Sequence, residues 1–101
     1  MKKVRITVMK KVCHSDLIEK YENPIAHACD LTVGQSFIST DFQKPAGFCD
    51  SAWGSVLPFV MALACGAEDF YDGWMQDRKT AMISCNDGFR PVSFLLEAME
   101  D

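Results

Sequence analysis

The last quarter of the chain constrains the fold most. Two β-forming runs, residues 80–85 and 90–97, flank the tetrapeptide Asn86-Asp87-Gly88-Phe89. Asp-Gly between alternating runs predicts a β-hairpin, because both residues tolerate positive φ. Val92, Phe94 and Leu96 then share one face of the second run. Pro91 has no N–H to give to a ladder, so it belongs at a strand start or on a free edge. At the other end of the chain, Val4, Ile6 and Val8 alternate with Arg5, Thr7 and Met9, the two-residue period of a half-buried strand ending near Val12 or Cys13.

The segments between are less regular. Ser15 or Asp16 caps a short helix that runs to about Glu22 and turns Leu17, Ile18 and Tyr21 inward; Asn23-Pro24 stops it. Residues 24–30 read as loop. Residues 31–35 form a turn into another strand, 36–41, with Phe37 and Ile38 toward the core. After an irregular stretch at 44–47, Trp53, Val56, Leu57, Val60, Met61 and Ala64 recur at helical spacing. A main helix over 50–65 follows, capped by Asp50 or Ser51 and ended by Gly66. Pro58 inside it predicts a kink or a break. Residues 68–78 are acidic and aromatic, with one helical turn carrying Phe70 and Trp74. The expected architecture is α+β: one domain over residues 1–101, with a small antiparallel sheet of about four strands, one main helix packed on a face and a C-terminal β-hairpin.

Composition narrows the functional classes. Of the ten basic residues, Lys2, Lys3, Arg5, Lys10 and Lys11 lie in the first eleven positions, and the rest of the chain is strongly acidic, for a net charge of −4. An acidic body argues against nucleic acid, whose binding rests on neutralising phosphates. The longest apolar run, 56–67, is about half of a membrane span, and no signal peptide is legible at the N-terminus. A cytoplasmic location is therefore expected, with the five cysteines as thiols.

Cys13, Cys29, Cys49, Cys65 and Cys85 are at least sixteen positions apart, unlike the two-to-four-residue pairs of local metal loops. Core thiols, a reactive thiol and a metal site assembled across the fold from His27, Cys29, Cys49 and Cys85 all remain open, and no cofactor is implied. Cys49 stands where the main helix begins, the position at which a helix favours a thiolate. Asp87 and Arg90 would place a carboxylate and a guanidinium together at the hairpin tip.

Two motifs carry a family resemblance. Gly47-Phe48-Cys49-x-x-Ala52-Trp53 ahead of a helix, and Cys85-x-Asp87-Gly88-x-Arg90-Pro91-Val92 ahead of a last strand, resemble a family of small, uncharacterised bacterial proteins. The stretch from Cys29 to Gln35 and the opening Lys3-Val4-Arg5-Ile6-Thr7-Val8 strand are similar as well, so the resemblance spans nearly the whole chain. Pro58, Cys13 and Cys65 depart from the pattern. The resemblance implies a stand-alone cytoplasmic domain, frequent in anaerobic bacteria, and no particular activity, substrate or cofactor. It singles out Cys29, Cys49 and Cys85 as the thiols to follow; Trp53, Asp87 and Arg90 are candidates for a pocket around them.

Two functions from different classes follow. One is a non-catalytic domain that binds a partner or self-associates through the apolar second half of the main helix, around Phe59 and Leu63. The other is a thiol-based redox or metal-binding protein using Cys29, Cys49 and Cys85. No small-molecule substrate is identified by either.

Overall fold

The chain forms β1 (Val4–Lys11), α1 (Ser15–Tyr21), β2 (Ser36–Ser39), α2 (Asp50–Ala64), β3 (Thr80–Ser84) and β4 (Val92–Ala98) in the computed structural model, which describes residues 1–25 and 29–100. His27 lies outside the described residues. The strands make one antiparallel sheet in the order β2-β1-β4-β3. This is the expected α+β architecture, with β3 and β4 as direct neighbours.

The core follows from the alternation in the two central strands. Val4, Ile6 and Val8 of β1 and Val92, Phe94 and Leu96 of β4 are buried on one face, and α2 covers them with Ala52, Val56, Val60, Leu63 and Ala64. Each such aliphatic or aromatic side chain contributes roughly 1.5–3 kcal/mol when fully buried. Exposed ion pairs such as Lys79–Glu100 are screened by solvent, so the sheet–helix seam dominates stability. Phe48, just before α2, closes one end of this seam by stacking against Phe37, Trp53 and Phe94, with ring centroids 5.0, 6.0 and 5.3 Å away.

Several local expectations are corrected. α2 is not broken at Pro58. The carbonyl deprived of a donor belongs to Gly54, and both Gly54 and Pro58 face solvent, where water can satisfy it. The N-cap is Cys49, not Asp50 or Ser51. At the other end Gly66 adopts φ 91°, and the N–H groups of Gly66 and Ala67 donate to the carbonyls of Leu63 and Ala62, closing the helix with a Schellman motif.

α1 buries none of its residues: Leu17 and Tyr21 are exposed. β2 stops at Ser39 because Asp41 and Phe42 turn to positive φ, and Ile38 faces out, away from the core. The expected right-handed turn near Phe70 is left-handed, with Tyr71, Asp72 and Gly73 all at positive φ.

The apolar second half of α2 is largely occupied within the chain. Leu63 is fully buried, and Phe59 packs on Phe70 and Tyr71 with centroids 5.5 and 6.4 Å apart. Met61 is its exposed large apolar side chain. Leu63→Ala should therefore lower the unfolding free energy by about 2–5 kcal/mol. Met61→Ala should change it by less than about 0.5 kcal/mol. Chemical denaturation of the two variants checks the contrast.

Candidate functional site

The hairpin loop is wider than an Asp-Gly turn. Neither Asp87 nor Gly88 takes positive φ, and β3 and β4 are joined by residues 85–91. Asp87 holds this loop instead: its Oδ1 accepts from the amides of Phe89 (2.8 Å) and Arg90 (3.2 Å), the local side-chain-to-backbone bonding for which Asp is favoured in turns. At the loop's base the Cys85 N–H donates to the Val92 carbonyl at 2.9 Å, while the Val92 N–H donates to Cys85 Sγ at 3.3 Å. The Cys85 carbonyl accepts from Ser84 Oγ at 2.9 Å. A sulfur thus replaces a carbonyl as acceptor in the last rung of the ladder, and this fixes the thiol against the backbone.

Arg90 does not pair with Asp87. Its Nη1 donates to Glu22 Oε1 at 2.6 Å, and the two side chains are mostly shielded. The Glu22 carboxylate holds the Arg90 guanidinium above its ordinary pKa. Glu22 is the C-cap of α1, so this pair explains what a helix without buried residues does: it carries a carboxylate to the loop. The carboxylate–guanidinium couple expected at the hairpin tip is therefore split, with Asp87 committed to backbone and Arg90 to Glu22.

Cys49, Cys29 and Cys85 nevertheless converge. With Asp87 and Arg90 they open on one cavity of about 270 Å³ at the N-terminal end of α2, floored by Leu31, Ala52, Val92 and Phe94. Trp53 is not among its described lining residues; its ring lies edge-on to Phe48. Asp30 and Ser51 complete the rim. Among the described residues, no three His, Cys, Asp or Glu side chains stand close enough to share a metal ion. Cys65, at the C-cap of α2, is exposed.

Cys49 is the distinctive thiol. Its pKa is lowered, first by the Ser51 hydroxyl 3.4 Å away and then by the first-turn amide of Ala52, against partial burial and the neighbouring Asp50 carboxylate. The amide of Ser51 adds to this lowering. Asp50 is itself drawn aside by Lys44, which donates to its Oδ1.

Composition could not single out Ser51, Asp30 or Glu22. A hydroxyl two residues after a cysteine at a helix start is a usable signal for Ser51, whereas the Glu22–Arg90 pair spans 68 positions and has none. No family model matches the chain, and neither does any curated protein or solved structure. No helix among the described residues is long and apolar enough to cross a membrane.

Removing the Ser51 hydroxyl by Ser51→Ala should raise the Cys49 pKa. The pH profile of Cys49 alkylation by iodoacetamide, followed by peptide mass spectrometry, should move upward. Because the folded-state pKa of Cys49 lies below its unfolded value, ionisation adds stability above the unfolded pKa. That stability is lost as pH falls through the folded one.

Proposed function

We propose that this chain is a thiol–disulfide exchange domain in which Cys49 is the attacking thiol and Cys29 or Cys85 the resolving one. The observation that supports it is the meeting of three thiols, from three separate segments, on one cavity at the start of α2. A lowered thiol pKa at that position raises the thiolate fraction near neutral pH, the reactive form.

The chemistry balances with a small disulfide as co-reactant. The Cys49 thiolate attacks one sulfur of the disulfide, forming a mixed disulfide and releasing one thiolate, which takes a proton from water. A second protein thiol, after losing its proton, attacks Cys49 Sγ and releases the other half of the ligand. The ligand is reduced to two thiols, and the protein carries one new disulfide. Asp87 braces the loop that bears Cys85, and the Glu22–Arg90 pair ties that loop to the end of α1.

The self-association reading has less to rest on, because Leu63 belongs to the core and Phe59 to an internal aromatic contact.

Treatment with bis(2-hydroxyethyl) disulfide, a neutral probe, tests the proposal. Cys49 should form the mixed disulfide faster than the other four thiols, and intramolecular disulfide to Cys29 or Cys85 should follow. Cys49→Ser should remove both products while leaving the unfolding transition near its original place. Equal labelling of all exposed thiols would defeat the reading.

A further inference from the structure

A β-bulge turns the end of β1 toward the cleft. From Val4↔Ala98 to Val8↔Phe94 the strands β1 and β4 pair in one register; beyond Met9 it is shifted by one, to Lys10↔Ser93 and Lys11↔Val92. In an unbroken pleat Lys11 would follow Arg5, Thr7 and Met9 onto the outer face. The extra residue instead sets Lys11 beside Val92, on the face of Val8 and Phe94. The shifted register continues past the strand: the Val12 N–H donates to the Pro91 carbonyl at 3.0 Å and the His14 N–H to the Phe89 carbonyl at 2.9 Å. Cys13 is therefore directly across from Arg90, on the side where Lys11 stands.

The result is a second cavity of about 200 Å³, lined by Lys11, Val12, Cys13, Cys29 and Arg90. It adjoins the first, since Cys29 and Arg90 line both. Lys11 is held in place, its Nζ donating to the Leu31 carbonyl at 2.7 Å and the Cys29 carbonyl at 3.3 Å, so its charge sits beside the segment that carries Cys29. No carboxylate is among the described lining residues of this end, although Glu22 backs Arg90 through Nη1. The other end holds Asp30 and Asp87. In a chain of net charge −4, a pair of cations facing one small space with two thiols stands apart from its surroundings.

We infer that the Lys11–Arg90 end of the cleft receives, beside Cys29, the oxyanion (a carboxylate or similar group) of the small disulfide and leaves its sulfur–sulfur bond toward Cys49. This deepens the thiol-exchange reading by giving the ligand a charge and an orientation, its anionic group at the β1 end and its remainder toward Cys49.

Paired alkylation tests it. Iodoacetate and iodoacetamide transfer the same kind of carbon to sulfur, with the S–C bond formed, iodide expelled and the thiol proton lost to solvent, but only the first carries a carboxylate. At low salt the iodoacetate-to-iodoacetamide rate ratio at Cys29 should exceed that of a blocked cysteine amide by about fivefold, the factor that one unit-charge attraction at ~4 Å in water supplies. The excess should shrink as ionic strength rises. Lys11→Gln should abolish it. Lys11→Arg, which keeps the charge and can still donate to the Cys29 and Leu31 carbonyls, should retain it, separating charge from loop disruption. A wild-type ratio equal to that of the blocked amide at every salt concentration overturns the inference, as does a ratio unchanged in Lys11→Gln. The pH profile of Cys49 with neutral iodoacetamide reports on the exchange reading separately, so the two can fail independently.

Discussion

β1 pairs with β2 on one side and β4 on the other, and this double pairing is what the rest of the molecule is built on. Its three buried aliphatic side chains meet Phe94 and Leu96 across the ladder and α2 above. The Lys2 N–H reaches the carbonyl of Ala64 at 2.8 Å, tying the start of the strand to the end of the helix. Because α2 is anchored there at its C-terminal end, its N-terminal end projects toward the far edge of β1 and β4, and that is where the cavity opens. The position of Cys49 is in this sense a consequence of a contact at Ala64, at the opposite end of the helix.

The site and the core are not separate structures. Ala52, Val92 and Phe94 belong to both, so the floor of the cavity is the last layer of the hydrophobic seam. What distinguishes the site is a change in the residues that cap that layer: thiols, carboxylates and cations replace aliphatic side chains beyond Val8 and Val92. Three of them are held by backbone contacts. Asp87 is fixed by two amides, Lys11 by two carbonyls and Cys85 by the Val92 N–H. Side chains restrained in this way lose little further freedom when a ligand arrives, which lowers the cost of binding.

Much of the architecture was legible because hydrophobic period is a local signal. The alternation in β1 and β4 and the helical spacing from Trp53 to Ala64 each need only a short window, and the fold class followed from them. The errors came where a local rule met a competing one. Asp-Gly suggested a tight turn, but the Asp87 carboxylate bound the Phe89 and Arg90 amides and organised a wider loop. Pro58 suggested a kink or a break, and the break is absent because the defect faces water. Leu17 and Tyr21 suggested a buried helix, yet α1 is retained on the surface and delivers Glu22 to Arg90. In the site, Cys29, Cys49, Cys85, Asp87 and Arg90 do line one cavity, whereas Trp53 turned instead to Phe48. Lys11 and Cys13 could not be placed, since no periodicity in 4–13 announces a shift of register.

That shift has a consequence for how the N-terminal strand can vary. Substitutions at Met9 or Lys10 alter side chains on an exposed stretch and leave the phase of the pleat intact. Loss of a single residue there is a different kind of change. It would remove the bulge and restore the simple two-residue rhythm, with Val4, Ile6 and Val8 in place and Lys11 still opposite Val92. The partner across the ladder, more than the number of intervening residues, fixes the face on which Lys11 stands.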